Sequence, residues 1–256
     1  MRQSIRARCD QLLPQGRLDA ARQLALLVLG YTGYEGVRGL VGGGGPRPFA
    51  DATRIIELER GLHVFAEPRI QAWATVHAHW LLELADWIYL NAHFALTAAA
   101  LLFIYLRRND SFYFVRNMFM VAMLLALVGY CLYPTAPPRL MPQWGFSDSV
   151  RQFTGIDAER GAGGLLLNAY AAVPSMHVCF ALMIAAPMAR LVHGRVARVL
   201  WRSYPLLIVF VVVVTGNHYF TDVVLGALTA AASAALAKQL LARARPDVWA
   251  FAGAPA

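Results

Sequence analysis

Long apolar stretches separated by short polar connections dominate this 256-residue chain. Six of these stretches approach the roughly 20 residues that an α-helix needs to cross the hydrocarbon core of a bilayer. A helix suits that environment because it satisfies its backbone hydrogen bonds internally. We therefore predict an all-α membrane protein with six transmembrane helices, at residues 23–41, 86–106, 112–133, 176–192, 199–215 and 220–241.

The connections between these stretches complete the predicted organisation. Between the first two spans, apolar and charged positions alternate over residues 52–73, as in an amphipathic helix on the membrane surface. Residues 134–174 form a Gly/Pro-rich outer loop of a length that usually carries function. Glu35 and Arg38, near the end of the first span, are assigned to the membrane interface. We expect residues 1–256 to form a single membrane domain.

Composition agrees with this pattern, because 58% of the residues are hydrophobic and only 15% are charged, whereas soluble domains are nearer a quarter charged. A net charge of +8 would favour nucleic acid binding in a soluble protein. Here the arginines lie at the ends of apolar runs, where they orient the spans and contact lipid headgroups. We therefore expect the membrane, and no nucleic acid, as a partner.

The distribution of arginine orients the predicted spans. Most of the 23 lysine and arginine residues fall near the two termini or in the short connections 107–116 and 190–202. Positively charged connections stay on the cytoplasmic side of a membrane. We predict an integral protein of the plasma (inner) membrane with both termini in the cytoplasm. The outer loop and the starts of spans four and six then share the extracytoplasmic side.

Two histidines and an aspartate meet at this predicted outer face. His177 begins span four, and His218 precedes span six, with Asp222 four residues further on. A helical turn at this spacing places the carboxylate beside the imidazole, where it fixes the tautomer and stabilises the cation. Ionisable residues at membrane depth are costly and indicate function, so we predict an active site here.

These residue types suit in-line displacement at phosphorus. We expect His218 to attack and form a phosphohistidine, Asp222 to hold its other nitrogen, and His177 to act as general acid and base. Ser175, at the start of span four, and Arg139, in the outer loop, are candidate ligands of the phosphate oxygens. The expected substrate is a phospholipid or lipid phosphate, and we predict neither a cofactor nor a metal site.

The two motifs resemble the signatures of a known family. Pro174-Ser175-Met176-His177 and His218-Tyr219-Phe220-Thr221-Asp222 are similar to the second and third signatures of the type 2 phosphatidic acid phosphatase superfamily. Methionine in the first motif and the run 216–227 resemble its inositol phosphorylceramide synthase branch, and the third signature of sphingomyelin synthases is similar too. The resemblance implies a six-helix membrane fold, a catalytic triad on the outer face, and the same roles for the five residues named above.

The chain departs from the phosphatase pattern at two cationic positions. Leu132 stands where the first signature has a lysine, and Val212 where the third has an arginine. A phosphate monoester carries close to two negative charges and a diester one, so fewer cations favour a diester. We therefore predict transfer of a phospho-headgroup between lipids, with inositol phosphate as the group that the resemblance suggests. Arg69, Arg151 and Arg160 are candidates to replace the missing cations.

Other functions stay open at this stage. A lipid phosphate or pyrophosphate phosphatase of the same superfamily would use the same triad. Two histidines and a carboxylate can also bind iron or zinc, which sensitivity to chelators would reveal. A non-catalytic lipid-binding or transport protein would keep its function after His218→Ala. The sequence identifies neither the donor lipid nor the acceptor, which is expected to be a lipid or a polyol.

Overall fold

The computed structural model describes residues 13–41, 45–155 and 170–241. This part of the chain is mainly helical and contains no β-strand. Its one β-type contact is an isolated bridge between Thr135 and Ala171. The predicted all-α class is therefore confirmed for the described residues. The arginine-rich N-terminus and the part of the outer loop that contains Arg160 lie outside them.

Most helices follow one another along the described chain with short connections, whereas longer ones precede and follow the helix Ser149–Thr154. Their bounds are α1 Gly16–Val41, α2 Arg47–Gly61, α3 Glu67–His77, α4 His79–Trp87, α5 His93–Arg107, α6 Asn109–Leu132, α7 Ser149–Thr154, α8 Met176–Leu191, α9 Arg195–Val214 and α10 Phe220–Leu236. A π-helical turn, Ile88–Ala92, joins α4 and α5 into one rod, and a second, Ala237–Leu241, extends α10.

Four helices of the described chain are long and apolar enough to cross a membrane. Their bounds are His79–Arg107, Asn109–Leu132, Arg195–Val214 and Phe220–Gln239. They coincide with the second, third, fifth and sixth predicted spans. Large apolar side chains such as Leu102, Leu124, Leu206 and Val224 are exposed along them, as expected for surfaces in contact with lipid. These features agree with a membrane protein.

The other two predicted spans, 23–41 and 176–192, correspond to α1 and α8. With 16 residues, α8 rises about 24 Å, less than the roughly 30 Å of a hydrocarbon core. The C-terminal half of α1 carries Tyr31, Tyr34, Glu35 and Arg38, which lower its mean hydropathy. The number of six spans therefore stays a prediction.

The prediction of one surface helix over residues 52–73 was wrong. The segment forms α2 and α3, which are separated at residues 62–66. Gly61 ends α2, His63 adopts a left-handed φ of 59°, and Pro68 stands in the first turn of α3, where its missing N–H group is tolerated. The two helices pack on different partners, α2 on α10 and α3 on α9.

Helix α8 is the central element of the bundle. It contacts α5, α6, α9 and α10, and most of its side chains are buried. The rings of Phe119 in α6 and Phe180 in α8 stack with their centroids 4.8 Å apart. A helix that is apolar all round is a buried helix. His177, in the first turn of α8, is therefore held from several sides.

Helix α1 packs along α6 and is fixed there by polar contacts at both ends. The carboxylate of Asp19 accepts hydrogen bonds from the hydroxyls of Tyr105 and Tyr113, at 3.0 and 3.1 Å. Near the other end, the hydroxyls of Tyr34 and Tyr130 lie 3.1 Å apart. These bonds set the rotation of α1 and therefore the face that it turns towards the bundle.

Gly226 allows α10 to approach the residue that precedes α8. A Cβ atom built at Gly226 would lie 2.4 Å from the carbonyl oxygen of Ser175. We expect Gly226→Ala to force the two segments apart at a cost of about 1–3 kcal/mol, which lowers the thermal unfolding temperature in detergent. Gly33→Ala is the control, because its added methyl group would meet no atom within 4 Å. Equal unfolding temperatures for the two variants would contradict this account.

Candidate active site

His218 and Asp222 lie at the start of α10. Nδ1 of His218 is 3.3 Å from Oδ2 of Asp222, and the same oxygen accepts a hydrogen bond from the backbone N–H of Tyr219 at 3.0 Å. The histidine is 5% exposed and the aspartate is fully buried. The carboxylate therefore orients the ring and engages Nδ1, which leaves Nε2 for other chemistry.

A glycine turn brings the chain from α9 to His218. Gly216 has a φ of 67°, a left-handed conformation that glycine adopts without strain. A Cβ atom there would also lie 2.8 Å from Nε2 of Gln71 in α3. The carbonyl oxygen of Val212 accepts hydrogen bonds from the N–H groups of both Asn217 and His218, at 3.0 and 3.1 Å. The turn is therefore fixed on both sides.

His177 reaches the same place from the start of α8. Its ring stacks on Tyr89 with centroids 4.2 Å apart, and lies 4.9 Å from the ring of His93 and 6.1 Å from that of His218. Nε2 of His177 is buried and makes no hydrogen bond with the described residues. The two imidazoles that the sequence places about forty residues apart are therefore neighbours.

Both imidazoles line a cavity of about 330 Å³. Arg139 and Asn217 also line it, and α1 contributes a further wall. An apolar groove of about 600 Å³, between α1, α5 and α6, adjoins the cavity, since Tyr31 and Phe94 line both. A chamber that carries imidazole and guanidinium groups, beside an apolar groove, matches the two ends of a lipid molecule.

Arg139 is placed in the cavity wall by two hydrogen bonds. Its Nη1 donates to Oδ2 of Asp148 at 3.0 Å, and its backbone N–H donates to the carbonyl oxygen of Gly216 at 2.7 Å. The outer loop is thereby joined to the turn that precedes His218. Arg139 therefore lines the same cavity as the two imidazoles, and its role as a phosphate ligand stays a prediction.

Ser175 occupies a different position from the other predicted site residues. It is not among the described residues that line the cavity. Its backbone N–H donates to the carbonyl oxygen of Asp222 at 3.1 Å, which ties the start of α8 to the first turn of α10. Its hydroxyl is buried and forms no hydrogen bond with the described residues.

The arginines suggested as replacements for the missing cations do not line the cavity within the described chain. Arg69 and Arg151 are exposed elsewhere, and Arg160 lies outside the described residues. Arg38 of α1 lines it instead and pairs with Glu35 at 3.0 Å. The assignment of this pair to the membrane interface overlooked its position beside the two imidazoles.

The sequence carried a signal for this face of α1. Tyr31, Tyr34, Glu35 and Arg38 all line the cavity, and their spacing of i, i+3, i+4 and i+7 places them on one side of a helix. A polar and aromatic stripe within an otherwise apolar helix indicates a surface turned towards a polar interior.

Two glutamates of the amphipathic segment contact the first turn of α10. Oε1 of Glu67 accepts a hydrogen bond from the N–H of Phe220 at 3.0 Å. Oε1 of Glu59 accepts two from Thr221, one from the N–H at 2.7 Å and one from the hydroxyl at 2.8 Å. Together with Asp222, they satisfy N–H groups that have no partner within a helix. The sequence analysis missed this role, because an amphipathic pattern does not reveal the partner of a polar residue.

The two glutamates are buried together, at 1% exposure for Glu59 and 0% for Glu67. Burial, followed by a hydrogen bond with Glu59, raises the pKa of the Glu67 carboxyl well above its usual range. Burial also raises the pKa of the neighbouring Tyr219, so its phenol stays neutral. A protonated Glu67 carries no charge, which limits the negative charge around the first turn of α10.

Comparison with known families identifies the superfamily of the chain. A model of the PAP2 superfamily matches residues 53–236, which extend from α2 to the end of α10. The chain belongs to the PAP2 superfamily. Members of this superfamily are phosphatases and phosphotransferases, which indicates a lipid enzyme of that type. No curated protein and no solved structure matches the chain.

The glutamate pair makes stability depend on pH in a defined direction. Folded Glu67 retains a proton that the unfolded chain loses above the ordinary pKa of glutamate, so stability falls as pH rises towards the raised pKa. We expect Glu67→Gln, which imitates the protonated carboxyl, to flatten this fall in unfolding temperature between about pH 5 and 8. Glu57→Gln, on the exposed face of α2, should leave the profile of the wild type unchanged.

Removing an acceptor should damage the site from a distance. Glu59→Ala leaves buried donors of Thr221 without a partner, which costs about 1–3 kcal/mol for each and releases the first turn of α10. We expect a lower unfolding temperature and a lower kcat with little change in KM. Recovery of both by Glu59→Gln, which keeps an oxygen acceptor, would identify hydrogen bonding as the cause. A variant with alanine at position 59 and normal kcat would refute the positioning role.

Proposed function

We propose that this protein is a membrane lipid phosphotransferase that moves a phospho-headgroup between lipids through a phosphohistidine intermediate. The supporting observation is that His218, paired with Asp222, and His177 line one cavity although they come from different helices. Membership of a superfamily of phosphatases and phosphotransferases gives the same reaction type. The roles of individual residues are part of this proposal.

In the first step, Nε2 of His218 attacks the phosphorus of the donor lipid. The bond between phosphorus and the lipid alcohol oxygen breaks, and the protonated ring of His177 gives its proton to that oxygen, so that the free lipid alcohol leaves. Asp222 accepts a hydrogen bond from Nδ1–H of His218 and stabilises the positive charge that develops on the ring. The phospho-headgroup is now carried by His218.

In the second step, the neutral ring of His177 removes the proton from the acceptor hydroxyl. The acceptor oxygen attacks phosphorus, the bond from phosphorus to Nε2 of His218 breaks, and a new phosphodiester forms. Water in place of the alcohol would give hydrolysis by the same steps. Transferase and phosphatase therefore differ in the acceptor that the cavity admits, and not in the triad.

Arg139 and Ser175 are proposed to bind the phosphoryl oxygens. Arg139 lines the cavity, and a guanidinium group binds phosphate through two parallel hydrogen bonds. Ser175 directly precedes Met176 and His177, which both line the cavity. Its buried hydroxyl makes no hydrogen bond with the described residues, so it retains a donor for an anion at the start of α8.

The balance of charge supports a diester as the donor. Each cavity arginine is paired with a carboxylate, Arg139 with Asp148 and Arg38 with Glu35. Val212, at the position of a superfamily arginine, is fully buried in α9. A cavity in which the guanidinium charges are already balanced suits a monoanionic diester better than a dianionic monoester. This favours headgroup transfer over the phosphatase alternative.

The decisive experiment uses purified protein and a phospholipid labelled at phosphorus, with and without ceramide, diacylglycerol or an inositol-containing lipid. A new labelled lipid would support transfer, whereas a water-soluble labelled product alone, either the headgroup phosphate or free phosphate, would support hydrolysis. Persistence of activity with a chelator present is expected. Loss of activity with the chelator would support the metal-dependent alternative.

The triad is tested by the same assay and by acid-labile labelling of the protein. We expect His218→Ala to form no labelled intermediate and to reduce turnover by about a thousandfold or more. Asp222→Asn should reduce turnover by about a hundredfold. His193→Ala, in the exposed connection between α8 and α9, is the matched histidine control. Full function after His218→Ala would favour the non-catalytic lipid-binding alternative.

We further propose that α1 and α8 complete six crossings in one membrane domain of the plasma (inner) membrane, with both termini cytoplasmic and the cavity extracytoplasmic. The arginine distribution supports this orientation. Cys131, exposed near the outer end of α6, provides the test. A membrane-impermeant maleimide should label it in intact cells, and Cys131→Ser should remove that signal. Labelling that requires broken cells would reverse the orientation.

A further inference from the structure

One face of α1 lines the cavity that contains both imidazoles, through Tyr31, Tyr34, Glu35 and Arg38. Nη1 of Arg38 lies 3.0 Å from Oε2 and 3.2 Å from Oε1 of Glu35. α1 precedes residues 53–236, the range matched by the superfamily. The signatures of the superfamily therefore assign no role to this face.

The Arg38–Glu35 pair differs from an ordinary surface ion pair. The two side chains are 25% and 24% exposed, although partial burial of two charges is costly. Arg38 lines the same cavity as His177 and Tyr89, the ring that stacks on His177. Arg139 lines it as well. The cavity wall therefore carries a second guanidinium group in addition to Arg139.

We propose that Arg38 and Glu35 form a second substrate-binding group of this cavity. Arg38 binds the non-bridging oxygens of a monoanionic phosphodiester, and Glu35 accepts hydrogen bonds from hydroxyls of its headgroup. This proposal rests on the proposed function and deepens it, because it names the substrate class as phosphodiester lipids with hydroxyl-bearing headgroups.

The chemistry of the pair selects this class. A carboxylate only accepts hydrogen bonds and a guanidinium group only donates them, so a hydroxyl, which does both, fits between them. A quaternary ammonium headgroup has no donor for Glu35 and would be repelled by Arg38. The charges of Arg38 and Glu35 cancel, so a bound diester leaves the group with one net negative charge. A dianionic monoester would leave it with two.

Helix α1 is also held firmly enough to recognise a ligand. Its contacts to Tyr105, Tyr113 and Tyr130 fix both of its ends against neighbouring helices. Tyr31 lines both the cavity and the apolar groove. A lipid whose chain follows the groove would therefore present its headgroup to the face that carries Arg38 and Glu35.

The test measures binding in a His218→Ala background, which separates recognition from chemistry. The probes are glycerophosphoinositol and diethyl phosphate, which each carry one negative charge but differ in hydroxyl groups. We expect Arg38→Gln to weaken the binding of both probes by about tenfold. Glu35→Gln should weaken the binding of glycerophosphoinositol by a similar factor. The affinity for diethyl phosphate should stay the same or rise, because the substitution removes the carboxylate that competes for Arg38.

Arg54→Gln is the matched control. Arg54 forms an ion pair of the same i, i+3 spacing with Asp51, at 2.7 Å, but is exposed on α2 and does not line the cavity. Arg38→Lys retains the charge without the planar fork and should give an intermediate affinity, while its unfolding temperature reports on folding. Affinities equal to those of Arg54→Gln, or no binding of either probe, would overturn the proposal.

The result is distinguishable from failure of the proposed function. If the binding pattern is as expected but no lipid is turned over by the wild type, the recognition site stands and the transferase proposal fails. If the wild type transfers headgroups while Arg38→Gln and Glu35→Gln bind both probes normally, the transferase stands and the recognition site fails.

Discussion

The first turn of α10 is the structural constraint on which the candidate site depends. Its backbone N–H groups are buried or partly buried and need acceptors, and a helix N-terminus favours negative charge. The chain supplies three carboxylates of its own, from Asp222, Glu67 and Glu59. Asp222 accepts from the backbone and from His218 with the same oxygen. The orientation of the proposed nucleophile is therefore part of the capping of a helix, and changes in one are transmitted to the other.

This constraint explains why the amphipathic segment is divided into two helices. In one continuous helix, positions 59 and 67 would be separated by about 12 Å along the axis. The N–H groups of Phe220 and Thr221, which they reach, belong to adjacent residues. The break after Gly61 lets α2 and α3 approach α10 independently, so that each delivers one carboxylate. A peripheral segment thereby holds the centre of the site.

Features that depend on residues close together in sequence could be predicted, whereas contacts between helices distant in sequence could not. Apolar runs predicted six spans, of which four coincide with helices that can cross a membrane. Two short motifs predicted that His177, His218 and Asp222 would lie close together, since local spacing and helix ends govern such contacts. Glu59 and Arg38 were misassigned to the surface and the interface. Their partners lie on helices distant in sequence, and an amphipathic pattern reports only that a position is polar.

Specificity and chemistry then come from different parts of the chain. The histidines and Asp222 lie within the matched range 53–236, and their geometry suits phosphoryl transfer to water or to an alcohol equally. Discrimination has to come from the cavity wall, where each guanidinium group is already paired with a carboxylate. A ligand with one negative charge and several hydroxyls can bond to both members of such a pair, whereas a dianion would need a cation that the cavity lacks among its described residues. Under the proposed function, α1, which precedes the matched range, selects the lipid that reacts.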